Sequence, residues 1–179
     1  MKRKVFLSFV LALFVLGLTA VAFSGSVHQF DKKGYSKIAK KTVGRVISGN
    51  VDADKMLSDM EKLVTIGVAG CKEHMGEKET PPEEAKMMEL VIANADKMKS
   101  LSLEDIEAQW HEGGKLKANG VNINKYDHFS EVMCHLDAVV HPATAIICLK
   151  KYKETKKADL LEQVQAELQE VIEHLKHLD

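Results

Sequence analysis

The stretch from Asp127 to Tyr152, DHFSEVMCHLDAVVHPATAIICLKKY, constrains this chain more than any other. It is the longest apolar segment beyond the N-terminus, and it holds two of the three cysteines and three of the eight histidines. At ~100° per residue, Phe129, Val132, Leu136, Val139, Ala143 and Ile146 fall on one apolar stripe that keeps its phase through Pro142. That predicts one long helix, kinked at the proline rather than broken by it. A second stripe, Cys134, Ala138, His141, Ala145, Cys148 and Tyr152, lies opposite at three- and four-residue spacing. Its small residues would admit another backbone at close range, so the helix is either central or meets a partner through that face.

The N-terminus carries an export signature. Lys2, Arg3 and Lys4 precede an apolar run from Val5 to Leu18, and Ala20-Val21-Ala22 supplies the small-x-small site of a signal peptidase. Residues 1–22 are expected to be removed, leaving a periplasmic or secreted chain. An uncleaved anchor is the competing reading, since Val5 to Phe23 approaches the ~20 residues that span a bilayer. No later segment is expected to cross a membrane.

Charge divides the remainder in two. Without the first three basic residues, 22 basic side chains face 26 acidic ones, which argues against nucleic acid as a partner. Residues 23–51 hold Lys32, Lys33, Lys37, Lys40, Lys41 and Arg45 against Asp31 alone. This basic arm sits beside an acidic helical domain, residues 52–179, and is expected to dock on it; lying on anionic lipid is the alternative. In an exported chain three cysteines cannot all pair internally, which leaves at least one thiol over.

Helix signals are clearest after Asp52. An Asp cap and an apolar face of Met56, Met60, Val64, Val68 and Cys71 predict a helix over 52–75, stopping near Gly76. A second, over 80–99, opens with Pro81, Glu83 and Glu84 in a first turn that suits them. A short third is capped by Ser102 and ends at Trp110-His111-Glu112 before Gly113-Gly114. Residues 115–126 read as a crossover loop, followed by the long helix over 127–155 and a last one over 158–178. Residues 23–51 offer only a weak amphipathic helix, interrupted by Gly44 and rich in β-branched residues. The expected fold is all-α: a four-helix bundle with a short extra helix and the basic arm. A simple up-down-up-down bundle makes the first and third long helices parallel and diagonal, too far apart for a disulfide, so Cys71 is expected buried and reduced with Cys134 and Cys148 available on the second face; an antiparallel adjacent pair would instead bring Cys134 level with Cys71.

Spacing removes several chemistries. There is no Cys-x-x-Cys-His for covalent haem, no Glu-x-x-His for a ferritin-like di-iron site, no zinc-protease helix, no nucleophile elbow and no phosphate-cradling glycine loop. No catalytic residue is therefore nominated. Two one-turn pairs remain as metal ligands: Cys71 with His74, and Glu131 with His135, flanked by His128. His128 and His135 lie ~10.5 Å apart along a helix axis, too far to share an ion. Zinc or copper suits the imidazole and carboxylate set, copper(I) the Cys71-His74 pair with Met56 or Met60, and methionine with histidine would also ligate a non-covalent haem. Trp110 and His111 read as an anchor for the crossover loop or as the lid of a ligand pocket. Glu162, Glu167 and Glu170 read as a solvated face, with His174 beside the apolar stripe of the last helix and His177 in water.

Two functions follow as expectations. The first is a non-enzymatic exported protein that binds a protein partner, or forms a homodimer, through the Cys134 to Tyr152 stripe. The second is a metal- or haem-binding bundle of electron-transfer or metal-handling type.

Overall fold

The structure, a computed structural model, describes residues 30–178, so the secretory segment and its cleavage site lie outside the described residues. The fold is all-helical, with no strand among the described residues. Five long helices carry it: α1 (Lys32–Ile47), α2 (Ala53–Met75), α3 (Pro82–Met98), α6 (Glu131–Thr155) and α7 (Asp159–His174). Between α3 and α6 the chain makes a short α4 (Leu103–Ile106), a π-helical turn (Glu107–His111), α5 (Gly114–Ala118) and a 3-10 turn (Ile123–Lys125); another 3-10 turn (Leu175–His177) ends it.

The caps act where the sequence puts them. Asp52 accepts a hydrogen bond from Lys55 N and Ser102 from Asp105 N, each satisfying an amide that the first helical turn leaves free. Pro81 leads into α3 with no side-chain cap, and Glu83 and Glu84 occupy its first turn. The expected crossover loop contains more structure than its composition suggests. Leu116 of α5 is fully buried, so a five-residue helix too short to persist alone is held by what it packs against.

α6 is the central element, continuous through Pro142 and buried on every side from Val132 to Leu149 apart from half-buried Met133. By length and apolarity alone it would cross a membrane, contrary to the sequence expectation, but 94% of its most apolar window is inside the chain. It packs against α2, α7 and α3. The second stripe is part of that interior: Cys134, Ala138, His141, Ala145 and Cys148 are all buried and Tyr152 is half-buried. The face the sequence offers to a partner is thus occupied by the chain itself.

The basic arm is a full member of the fold. α1 packs on α7 and α2 and buries Tyr35, Ala39, Thr42 and Val43. Arg45 reaches the buried carboxylate of Asp59 at 2.9 Å, and Lys32 bonds the Leu178 carbonyl at the far end. Burial of this face supplies what Gly44 and the β-branched residues take away from intrinsic helix propensity.

The expected parallel, diagonal placement of α2 and α6 is corrected. Lys153 pairs with Asp54 at one end, and Cys71 donates to the His135 carbonyl at 3.4 Å near the other, so the two helices are antiparallel neighbours. α1 lies beside both α2 and α7. The three thiols are free and all buried, which also corrects the placing of Cys134 and Cys148 on an available face. Cys71 faces His135 rather than Cys134, whose side chain points ~100° further round α6.

Candidate metal centre

A cavity of about 330 Å³ opens between the π turn, α6 and α7. Glu107, His111, Asp137, His141, Glu167 and Glu170 face it, with His128 at its edge and no lysine or arginine in its lining. Each element contributes by local rule. On α6, Asp137 and His141 stand one turn apart on the same face; on α7, Glu167, Glu170 and His174 repeat that spacing. The π turn, closed by a bond from Glu112 N to Glu107 O at 2.9 Å, seats Trp110 in the core and sets His111 against α6.

Two sets of ligand-type side chains meet here. In the first, His141 Nδ1 lies 2.7 Å from Glu167 Oε2, and His111 Nε2 lies 3.8 Å from the same oxygen and 2.9 Å from Thr144 Oγ1. In the second, His174 Nε2 lies 3.0 Å from His128 Nε2, and His174 Nδ1 lies 2.8 Å from Asp137 Oδ2 but out of hydrogen-bonding alignment. Within each set the ligand atoms lie within 4.8 Å of one another. The sets adjoin: His141 Nε2 is 3.9 Å from Asp137 Oδ1. Each is two histidines and one carboxylate, the donor set of many zinc and non-haem iron sites. Tetrahedral zinc with Zn–N bonds of ~2.0–2.1 Å holds neighbouring ligand atoms roughly 3.3 Å apart, and the separations here bracket that value.

Burial disfavours the charged form of His141, but its hydrogen bond to Glu167 and the charges of Asp137, Glu167 and Glu170 outweigh this and raise its pKa.

A third cluster lies where the C-terminal end of α2 meets the first turns of α3 and α6. It joins His74 and His135, both buried, with the carboxylates of Glu84 and Glu131. Burial, with the adjacent His74, pushes the pKa of His135 down to about 4 and keeps the ring neutral.

The sequence-nominated ligands are therefore redistributed. His74, Glu131 and His135 do come together, but Cys71 is not with them, because its thiol is turned to the backbone of His135. His128 joins His174 and Asp137 instead of Glu131. Met56 and Met60 are fully buried core residues. Burial raises the Cys71 and Cys148 thiols to about 12 and Cys134 to about 11, far from thiolate ligands. His111, Asp137, His141, Glu167, Glu170 and His174 were not nominated as ligands. Glu167 in particular is no solvated residue, since its side chain is 12% exposed. The signal that would have found them is the acid and imidazole one turn apart on successive helices, Asp137 with His141 and Glu170 with His174.

Compared with models of protein families, with curated proteins and with solved structures, the chain matches none.

Proposed function

We propose that this is a metal-handling helical protein whose cavity between the π turn, α6 and α7 binds divalent transition-metal ions. One observation carries the reading: two adjoining sets of two histidines and a carboxylate meet at a cavity lined by four carboxylates, with no lysine or arginine to balance them. Like charges gathered in a partly dehydrated space repel one another, and a bound cation relieves that directly. Imidazole and carboxylate donors, with every thiol neutral and buried, favour zinc(II), iron(II) or copper(II) over copper(I). Binding through the Cys134 to Tyr152 stripe is not adopted, because five of its six residues are in the chain's own core.

Two further parts of the reading rest on narrower support. Export is supported by the sequence alone, through Lys2 to Lys4, the apolar run and Ala20-Val21-Ala22. A four-helix bundle of α1, α2, α6 and α7, with α3 laid outside α2 and α6, is the architecture supported by the helix neighbours.

The cavity contains a built-in reporter, since Trp110 is the only tryptophan and lines it. Titrating the metal-free protein with cobalt(II) should quench its fluorescence saturably and develop visible absorption bands. His141→Ala with His174→Ala should abolish the quenching while the far-ultraviolet dichroism stays helical. Unquenched fluorescence together with no retained metal after dialysis would sink the reading.

A further inference from the structure

The third cluster buries a ring nitrogen that no hydrogen bond reaches. His74 is 4% exposed and His135 6% exposed, and their rings lie 5.2 Å apart, tilted by 32°. His74 Nε2 is hydrogen-bonded to Glu84 Oε2 at 3.2 Å. A carboxylate accepts, so Nε2 carries a proton and Glu84 fixes the orientation of the ring. That Nδ1 has no hydrogen-bond partner. It faces Glu131 Oε1 at 3.9 Å, and His135 Nε2 faces the same oxygen at 4.0 Å. Glu77 Oε2 is a further carboxylate oxygen 3.7 Å from Nδ1. A buried ring nitrogen without a hydrogen-bond partner, faced by carboxylate oxygens 3.7 and 3.9 Å away, is the arrangement a metal ion completes.

Room has been left for it. A Cβ on Gly70 would stand 2.9 Å from His135 Nδ1, so the glycine lets this ring lie flat against α2. The first turn of α6 supplies Glu131 and His135 one turn apart, the end of α2 supplies His74, and the first turn of α3 supplies Glu84 as the group that fixes the tautomer. A carboxylate behind a ligating histidine is the usual second-shell support of a zinc site.

We infer that His74, Glu131 and His135 form a separate mononuclear site for a divalent cation of the zinc class, oriented by Glu84 and fastening α2, α3 and α6 together at one end of the molecule. It shares no residue with the cavity and stands whether or not the cavity binds metal. Two histidines and one carboxylate leave a fourth position for water or for Glu77, and burial of both rings suits an ion that holds structure rather than exchanges.

The test follows the histidine ring nitrogens of the whole protein by NMR during zinc titration, alongside metal content after gel filtration. Stoichiometric zinc should move the His74 and His135 ring signals and raise the melting temperature. Glu131→Gln, at a side chain that is 54% exposed and so tolerated by the fold, should lower the retained zinc by one ion per chain and leave the His141 and His174 signals as in the parent. Shifts at His141 and His174 with His74 and His135 unmoved would overturn this site and leave the cavity reading standing. Shifts at His74 and His135 alone would support the site and overturn the cavity.

Discussion

Tyr35 donates its phenolic hydrogen to the Ala138 carbonyl at 2.8 Å, and both residues are fully buried. The acceptor is available because Pro142, four residues on, has no N–H to return to it. A proline inside the central helix would leave a buried carbonyl unpaired, and the first helix supplies the missing donor across the core. Two helices whose bonded residues are 103 positions apart in the sequence are thereby locked in register.

Tyr35→Phe should cost about 1–3 kcal/mol, the range for stranding a buried acceptor. Combined with Pro142→Ala, which restores an amide to Ala138, the same change should cost clearly less. Urea unfolding of the four proteins gives the coupling directly. Independent, additive effects would show that the carbonyl does not depend on Tyr35.

Gly67 marks a close approach of α2 to α6, since a Cβ there would lie 2.4 Å from the Ala138 oxygen. Gly67→Ala should therefore destabilise by about 1–3 kcal/mol through overpacking. Gly44, in α1, has nothing within 4 Å of such a Cβ, and Gly44→Ala should instead stabilise by about 0.5–1 kcal/mol. Opposite shifts in melting temperature are the expected result; equal shifts would contradict the packing.

Alkaline pH should weaken the fold from the thiols outward. Burial raises Cys71 and Cys148 to about 12, whereas an unfolded thiol ionises near ~8.5. Between those values the unfolded chain has lost protons that the folded chain keeps, so stability falls as pH rises, and below ~8 these groups contribute no slope. The melting temperature should be flat from pH 7 to 8 and drop from pH 9 to 10.5, with a smaller drop in Cys71→Ala with Cys148→Ala. Iodoacetamide at pH 8 should label these two positions only after unfolding.

The helices were legible because their information is local. Caps at Asp52 and Ser102 fix where α2 and α4 begin, whereas α6 begins at Glu131, four residues after the Asp127 that the sequence suggests, because the apolar period marks a face and not a first turn. α1 was under-read because what holds it is contact with α2 and α7, which outweighs Gly44. The site was largely hidden for a different reason. Spacing within one helix can pair Glu131 with His135, but His111, His141 and Glu167 come from three separate elements, and only the antiparallel turn from α6 into α7 sets Glu167 against His141. The disposition of the cysteines failed at the same step, because their heights along α2 and α6 depend on which helices are neighbours.

The π turn at Glu107–His111 behaves as an ordinary helical turn with one residue too many. Deleting a single residue within it would let the backbone relax to α geometry and swing everything beyond by about 100°, taking His111 off Thr144 and the wall of the cavity with it. The chemistry there is encoded in segment length as much as in residue identity. Single-residue insertions and deletions between Ser102 and Gly113 should thus be tolerated by the helical frame yet act on the cavity as severely as loss of a ligand.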